Sequence, residues 1–370
     1  MSSWYIRIET IEKVWPHPNA DRLDLAKLAD IDYQFVVAKG QFQPGDKVLY
    51  FPVDSILPTH VTDKIGLTGK LSGKDKNRVK TIRLRQEISQ GVVANTSLLD
   101  HPDYQTAAHQ CLVADMASAA ATPHGEPVDY STVLGIVKWE PEERISGGHN
   151  HGSRTMTLPT GVSMYDLESC ARFKRQVEDL MDQPVVATEK MEGSHASVSL
   201  DPDRGFLYCS RRLLLVDPVT NWHVGAKASH LEDILIHLST RFFPGRHLIT
   251  VRGELLGPGM NGNIYGFKEL HVRLFDIEVD SEPIDAEKFY EVLDGYDYVA
   301  PVLSKGRTLR EWMTENGYTS MDQASTGRSV LGDTLREGIV IRPMREQRDP
   351  KLGRLILKQR SSDYLATHDT

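Results

Sequence analysis

Long apolar runs are missing from this sequence, and none approaches the roughly 20 residues that a membrane span needs. The N-terminus, MSSWYIRIETIEKVW, has no basic segment followed by an apolar core, so it does not resemble a secretory signal. Cysteine is scarce, with only Cys111, Cys170 and Cys209 in 370 residues. An odd number of widely spaced thiols argues against a disulfide framework and favours a reducing compartment. We therefore expect a cytoplasmic protein with no membrane association.

A zinc site and a general excess of basic charge are also missing. His149 and His151 have no second ligand pair at zinc spacing, so a polar loop is the better interpretation. The net charge of −8 excludes a protein coated in basic residues, although a local basic patch can still bind nucleic acid. One candidate is the stretch 70–85, KLSGKDKNRVKTIRLR, in which Asp75 is the only acidic residue. It is either a surface that follows phosphates or a solvated loop.

What is present is the composition of an ordinary globular protein, 40% hydrophobic and 25% charged, long enough for two domains. Short apolar runs separated by Gly, Pro, Asn and Asp fill residues 1 to about 100 and predict an all-β domain. Pro44 and Gly45 in FQPGDKVLYFP are placed for a turn before a strand. HPNADRLDLAKL and the following VVAKGQFQPGDKVLYFPVD resemble the OB-type modules that bind tRNA. We predict an OB-like domain over 1–115.

The chain changes character after this domain. Residues 105–129 are rich in Ala and are interpreted as one helix followed by a linker. We predict that the linker between the two domains spans 116–135. Apolar residues at helical spacing predict a helix in DLESCARFKRQVEDLM, 166–181, and two more helices near 229–243 and 285–295. Strands dominate the rest. The fold class is therefore α+β, with a small OB-like β-barrel followed by a second domain, 136–370, of antiparallel sheets flanked by helices.

Six short motifs follow one another in the second half. They are EKMEG at 189–193, SRR at 210–212, RGELLGPG at 252–259, LFDIE at 274–278, REGIVIRP at 336–343 and LILKQRS at 355–361. In this order and at these spacings they resemble the covalent nucleotidyltransferase superfamily, which contains DNA ligases, RNA ligases and mRNA capping enzymes. The resemblance extends over about 185–361. It implies a nucleotidyltransferase, here an adenylyltransferase, as the second domain.

The resemblance gives Lys190 the role of nucleophile toward the α-phosphorus of a nucleoside triphosphate. An amine attacks only when it is deprotonated, and positive charge or burial lowers the pKa of a lysine. A divalent metal supplies such a charge and neutralises the phosphate. Glu192, Glu254 and Glu337 match the superfamily's carboxylates that hold this metal. The resemblance implies contacts through the metal's waters, since Mg2+ keeps much of its hydration shell. Mg2+ and Mn2+ both remain open.

Other matches concern the phosphates and the ribose. The resemblance assigns Lys358 and Arg360 of LKQRS to the α-phosphate. It places Arg211 or Arg212 at the ribose or at the acceptor phosphate, and the sequence leaves both arginines open. All four side chains are cations, as contacts to phosphate require.

Three further residues are expected to contact the nucleotide. Phe275 matches the residue that stacks on the base, and Val340 matches the apolar residue on the opposite face of the base. Glu189, immediately before Lys190, is the third expected nucleotide contact. For Val340, ordinary strand core is an equally good interpretation.

Two positions depart from the superfamily pattern. Glu192 stands where the superfamily usually has Asp, and its additional methylene suits a metal contact made through water better than a direct one. Arg360 replaces the second Lys of the last motif. It keeps the charge, but Arg and Lys are not equivalent in close contacts.

The order of domains favours one branch of the superfamily. The small barrel comes first, and the chain ends soon after Arg360, so we expect no OB domain behind this motif. Together with VKWEP after the linker and GPGMNGNIYG after Glu254, this resembles ATP-dependent RNA ligases with an N-terminal OB domain. The resemblance implies ATP as cofactor, covalent AMP on Lys190, and RNA or an RNA-containing nicked duplex as partner. We expect no obligate protein partner.

The expected reaction is the sealing of 3′-OH and 5′-phosphate ends through lysyl-AMP and an adenylated 5′ end, at nicks with RNA on the 3′-OH side. Two alternatives stay open. One is a capping-type guanylyltransferase, which uses the same chemistry with another base and acceptor. The other is a noncatalytic RNA-binding protein that keeps an inactive transferase domain.

Overall fold

The structure is a computed structural model that describes residues 4–101, 104, 128–140, 154–217 and 219–368. The chain forms two compact units, divided near residue 142, with the short segment 171–174 and the last residues from 365 assigned to the first unit. Most of the Ala-rich stretch, Cys111 and the loop with His149 and His151 lie outside the described residues. None of the helices described is both long and apolar enough to cross a membrane.

The first unit is built from short antiparallel strands. They are β1 (Arg7–Pro16), β2 (Leu23–Leu28), β3 (Gln34–Ala38), β4 (Lys47–Phe51), β5 (Ser55–Ile56), β6 (Thr81–Leu84), β7 (Glu87–Gln90), β8 (Val92–Asn95) and β9 (Val137–Lys138). Its helices are Thr59–Lys64, Ser131–Leu134 and the 3-10 turn Thr96–Asp100. The main sheet has the order β3-β2-β1-β4-β8, while β5 pairs with β9 and β6 with β7.

Both faces of this main sheet are covered. Side chains alternate along a strand, so β4 sends Val48 and Tyr50 into one apolar cluster and Leu49 and Phe51 into another. The strand begins after a turn in which Gly45 has φ of 95°, a left-handed conformation that favours glycine. The predicted all-β organisation of this part of the chain is confirmed, with short helical turns added.

The basic stretch 70–85 is not uniformly exposed. Arg78 is buried, pairs with Asp54 at 2.6 Å and lies over the ring of Trp139 at 3.3 Å. Its guanidinium is therefore engaged within the first unit, and a surface that follows phosphates stays a prediction for the other basic residues of the stretch. Arg78 is buried for a local reason: backbone hydrogen bonds between Ser72 and Arg78 fold this segment back on itself.

The second unit contains two larger sheets. Its strands are β10 (Thr155–Thr157), β11 (Glu168–Ser169), β12 (Pro184–Lys190), β13 (Ser194–Asp201), β14 (Gly205–Cys209), β15 (Leu213–Leu215), β16 (Ile249–Leu256), β17 (His271–Val279), β18 (Glu282–Pro283), β19 (Val302–Thr308), β20 (Gly338–Pro343), β21 (Arg348–Asp349), β22 (Gly353–Arg354) and β23 (Leu357–Arg360). One sheet has the order β10-β15-β14-β13-β16-β17-β18, and the other has the order β11-β23-β20-β12-β19.

Helices and helical turns accompany these strands. They are Cys170–Arg172, Lys174–Met181, Asn221–Ala228, Leu231–His237, the π-helical Leu238–Phe242, Asn261–Asn263, Ala286–Val292, Leu309–Glu315, Met321–Ser325 and Ser362–His368. The largest apolar cluster joins the seven-stranded sheet to the helices at 221–238 and 286–292, through residues such as Val251, Leu235 and Phe289. The α+β fold class expected from the sequence is confirmed.

The helix predicted over 166–181 is only partly right. The helix spans Lys174–Met181, whereas Glu168–Ser169 form a short strand that pairs in parallel with Leu357 and Lys358. The long-range pairing with β23 outweighs the helical pattern of this segment. The helices predicted near 229–243 and 285–295 are present.

A buried ionic cluster joins the two sheets. Asp276 of β17 is fully buried and accepts hydrogen bonds from Arg342 at 2.9 Å, from Arg354 at 3.2 Å and from the Tyr165 hydroxyl at 3.0 Å. Burial alone would raise the pKa of Asp276, but the two arginines lower it to about 2. Arg354 also donates to Glu346 at 2.7 Å. The cluster fixes β17 against β20 and β22.

Candidate functional site

Lys190 stands at the end of β12, and its ammonium is paired with Glu337. The Lys190 Nζ and Glu337 Oε2 atoms are 2.7 Å apart, and the other oxygen of Glu337 accepts from Arg360 Nε at 3.1 Å. The side chain of Glu337 is only 4% exposed. Gly338 follows it, where any Cβ would come within 2.1 Å of the Gln359 carbonyl. Close packing of β20 on β23 therefore places the carboxylate between the two cations.

Glu192 is held by three neighbours. Its Oε1 accepts from Asn261 Nδ2 at 2.7 Å, its Oε2 accepts from the Tyr364 hydroxyl at 3.0 Å, and its backbone N–H donates to Tyr265 Oη at 2.8 Å. Asn261 also donates to the Gly193 carbonyl at 2.5 Å. The carboxylate of Glu192 is thus fixed in position by residues far away in the sequence.

Gly193 explains how Glu254 reaches the same place. A Cβ on Gly193 would lie 2.5 Å from the Leu255 carbonyl and 2.8 Å from Glu254 Cγ, so only glycine allows the turn after Glu192 to approach β16 this closely. Burial is the main reason why the pKa of Glu254 rises to about 8, and the repulsion of Glu337 and Glu192 adds to it against the attraction of Lys190.

The pKa values of the two lysines of the site are shifted in opposite directions. Burial acts to lower the pKa of Lys190, but Glu337, Glu254 and Glu192 outweigh burial and raise it. Burial also lowers the pKa of Lys358, and the nearby charges of Lys190 and Arg360 lower it further, to about 8. Lys190 in this state is an ammonium, so it must lose its proton before it can act as a nucleophile.

A cavity of about 280 Å³ opens beside Lys190 between the two sheets. The residues predicted from the sequence that line it are Glu189, Lys190, Arg211, Glu254, Phe275, Val340 and Lys358. The predicted residues Glu192, Glu337 and Arg360 are not among its lining residues. Phe275 belongs to the seven-stranded sheet and Val340 to the five-stranded sheet, so they approach the cavity from different sheets. Each of the two residues contributes an apolar surface to the cavity.

The structure separates Arg211 from Arg212. Arg211 lines the cavity and forms an ion pair with Asp166, which lines it too. Arg212 is not among the residues that line this cavity. Of the two candidates, Arg211 is therefore the one placed to contact a molecule in the cavity.

Glu189 is buried in the cavity wall, and its carboxylate is already engaged. It accepts from Ser329 Oγ at 2.5 Å and from the backbone N–H of Val330 at 3.0 Å. The side chain thus fastens β12 to the segment before β20. A direct contact between Glu189 and a nucleotide stays a prediction.

Tyr165 and His195 are among the cavity residues that were not predicted from the sequence. Their rings stack at a centroid distance of 5.7 Å, and each lies within 6 Å of the Phe275 ring. A signal for His195 existed. The alternation of polar His195, Ser197 and Ser199 with apolar Ala196 and Val198 indicates a strand whose polar face is turned toward a site.

The carboxylates concentrate negative charge without forming a direct metal cluster. Among the residues that the structure describes, no three acidic, His or Cys side chains are arranged to ligate one ion. Burial, followed by repulsion from Glu337, raises the pKa of Glu192, as burial and like charges do for Glu254. A cation nearby would relieve this repulsion. The set therefore fits a divalent cation that keeps its waters.

Comparison with known families agrees with the geometry of the second unit. Residues 183–359 match the RNA ligase family, and residues 5–96 match the model of an OB-fold domain. The resemblance to RNA ligases with an N-terminal OB domain is thereby confirmed. Residues 183–359 are therefore similar to the RNA ligase family, and the residues similar to an OB-fold domain precede them.

Solved structures show the same fold over the whole chain. The RNA ligase of Naegleria gruberi with PPi has a TM-score of 0.73 and 22% identity, covering 100% of this chain and 99% of that one. Variants of that ligase with ATP and Mn, and with AMP and Mn, each have a TM-score of 0.72 and 23% identity, covering 99% of both chains. No curated protein sequence matches significantly.

Proposed function

We propose that this protein is an ATP-dependent RNA ligase that joins a 3′-OH to a 5′-phosphate through lysyl-AMP on Lys190. The observation that carries the proposal is the position of Lys190: it lines a cavity together with Glu254 and Lys358, and its ammonium is paired with Glu337. The similar Naegleria ligase, solved with ATP or AMP and Mn, supports ATP as the nucleotide.

In the first step the lone pair of Lys190 Nζ attacks the α-phosphorus of ATP. A P–N bond forms, the P–O bond to the β-phosphate breaks, and pyrophosphate leaves. The ammonium proton must leave first, and Glu337, 2.7 Å away, is placed to take it. Protonation of Glu337 also ends the electrostatic attraction that raises the pKa of Lys190.

Cationic groups on β23 offset the charge of the phosphates. Lys358 lines the cavity, and Arg360 shares Glu337 with Lys190, so both lie on the side that the α-phosphate would occupy. A bound Mg2+ or Mn2+ would supply Lewis-acid stabilisation of the phosphate charge. Glu192, Glu254 and Glu337 would hold that ion through water.

The remainder of the cavity suits the nucleoside. Phe275 and Val340 offer apolar surfaces from two sheets, between which the base would stack. Arg211 is placed for the ribose or for the 5′-phosphate of the acceptor strand.

The later steps use RNA. The 5′-phosphate attacks lysyl-AMP and releases Lys190, and the 3′-OH then attacks the adenylated 5′ end, with AMP leaving. The RNA ligase family supports RNA as substrate, and we propose a nicked duplex with RNA on the 3′-OH side, bound in part by the OB-fold domain. No protein partner is required in this scheme.

Intact-mass measurement after incubation with ATP and Mg2+ or Mn2+ tests the proposal. We expect one AMP adduct, none with Lys190→Ala, and an unchanged adduct with Lys351→Ala, which removes an exposed lysine away from the cavity. A GMP adduct in preference to AMP would favour the capping enzyme. The absence of any adduct would favour the noncatalytic protein.

Sealing is tested separately on pre-adenylated nicks. Lys190→Ala should still join them, because the last step does not need the amine as a nucleophile. Nicks with RNA on the 3′-OH side should be sealed faster than all-DNA nicks. Equal rates for both would contradict the proposed substrate.

A further inference from the structure

The short helix Ser362–His368 carries Tyr364, whose hydroxyl donates to Glu192 Oε2 at 3.0 Å. The phenol can hold this carboxylate in place only if the first turn of the helix is itself fixed. Ser362 in that turn is buried and bonds Asp322 twice: its N–H donates to Oδ1 at 3.1 Å and its hydroxyl donates to Oδ2 at 2.5 Å. One distant carboxylate therefore fixes the turn that carries Tyr364.

A second set of contacts ties down the same turn. The hydroxyl of Ser361 accepts from the N–H of Tyr364 at 3.3 Å and lies 3.3 Å from the hydroxyl of Thr326. Thr326 in turn donates to the Asp322 carbonyl at 3.0 Å. The N–H of Ser361 donates to the carbonyl of Glu337 at 2.8 Å. The turn is thus joined at two points to the segment that begins at Asp322.

Asp322 lies in a well-fixed element. It belongs to the helix Met321–Ser325, and the side chain of Ser320 caps this helix by accepting a backbone N–H of its first turn at 3.2 Å. Ala324 and Ser325 are fully buried. A functional group is positioned accurately when the residues that support it are themselves held by packing and hydrogen bonds. The helix meets this condition as a base for Tyr364.

We propose that Asp322 is a positioning residue for Glu192, acting through Ser362 and Tyr364. This inference rests on the proposed function, in which Glu192 helps to hold the divalent ion. Asp322 is not among the residues that line the cavity, so its effect on the reaction must pass through the residues that it holds.

A double-mutant cycle tests this route. The rate of AMP-adduct formation at saturating ATP is measured for the wild type, Asp322→Ala, Tyr364→Phe and the double variant. Partners that orient a metal ligand typically contribute about 10–100-fold, and Asp322 acts one residue further away, so Asp322→Ala should slow the reaction about three- to tenfold. In the Tyr364→Phe background the same change should alter the rate by less than about twofold, because the route is already broken.

Conservative variants and a matched control separate positioning from stability. Asp322→Asn keeps the shape and an acceptor for the Ser362 N–H, so it should retain most of the rate. Ser362→Ala removes one of the two hydrogen bonds and should have a smaller effect than Asp322→Ala. The control is Asp201→Ala: Asp201 accepts from the N–H groups of Asp203 and Arg204 in another turn, away from the cavity lining. It should lower the melting temperature and leave the rate unchanged.

NMR of protein labelled with 13C at the tyrosine Cζ atoms provides a readout without catalysis. This signal depends on the hydrogen bond of the phenol, and Tyr364→Phe identifies the signal of Tyr364 by its disappearance. In the nucleotide-free protein, Asp322→Ala should shift it and Asp201→Ala should not.

Three results would overturn the inference. They are rate losses that multiply in the double variant, a wild-type rate for a folded Asp322→Ala, and an unmoved Tyr364 signal in that variant. If Asp322→Ala does not fold, Ser362→Ala replaces it in the cycle and in the NMR comparison. Failure of the proposed function looks different, because then the wild type itself forms no AMP adduct.

Discussion

Tyr364 and Glu192 allow a direct test of how the site is held together. The Tyr364 hydroxyl donates to Glu192 Oε2 at 3.0 Å, and Asn261 donates to the other oxygen at 2.7 Å. Tyr364→Phe removes one of these hydrogen bonds and leaves the ring. Glu192→Asp keeps the charge but withdraws the carboxylate by about one bond length from both donors.

The size of the effect follows from the hydrogen bonds. A hydrogen bond to a charged group contributes about 1.5–3 kcal/mol, and this carboxylate is half-buried, so the lower end applies. If the position of Glu192 matters for catalysis, Tyr364→Phe should slow adenylylation about tenfold, since 1.4 kcal/mol corresponds to a factor of ten. Glu192→Asp weakens both contacts and should cost between about ten- and a hundredfold.

The assay is the rate of AMP-adduct formation at saturating ATP, with the melting temperature of each variant recorded beside it. Tyr208→Phe is the matched control, because it removes a Tyr hydroxyl bonded to Glu232, away from the cavity lining. It should leave the rate unchanged.

A wild-type rate for Tyr364→Phe would refute the view that the phenol positions Glu192. A full rate for Glu192→Asp would show further that neither donor is needed, and that the longer side chain of Glu is neutral at this position.

Glu254→Gln should flatten the pH dependence of the free energy of unfolding. Burial raises the pKa of wild-type Glu254 from 4.5 to about 8, so the wild type should lose stability as the pH rises through this interval. Denaturant unfolding from pH 5 to 8.5 measures the difference. Lys358→Arg should keep the affinity for ATP constant from pH 7 to 9, whereas the affinity of the wild type should fall as Lys358, with a pKa of about 8, loses its proton. If calorimetry gives the same dependence of affinity on pH for both proteins, this prediction is contradicted. Asp276→Asn should destabilise the second domain by about 3–5 kcal/mol because it leaves Arg342 and Arg354 buried without their carboxylate, and an unchanged melting temperature would argue against the ionic cluster.

Most of the site's charged residues could be predicted from the sequence, because the chemistry demands particular residue types in a fixed order. Lys190, Glu254 and Lys358 were named from short motifs, and the structure brings them to one cavity. The partners of Glu192 could not be predicted in this way. Asn261 and Tyr364 lie 69 and 172 residues from it, and no periodic pattern connects them.

The secondary structure likewise contains elements with a local sequence signal and elements without one. The helix Leu309–Glu315 was missed although it has a local signal, the capping box of Thr308 and Glu311. Glu168–Ser169 had no such signal. Its strand exists because β23 lies beside it, and a local pattern does not contain that information.

The ion pair between Lys190 and Glu337 also affects how fast Lys190 reacts with chemical modification reagents when no nucleotide is bound. Aldehydes, acylating agents and other electrophiles react with unprotonated amines and do not react with ammonium groups. A lysine kept protonated by three carboxylates should therefore be among the slower lysines of this chain to be modified, even though it lies at an open cavity. Under the proposed function, the same ion pair keeps Lys190 unreactive until its proton is removed.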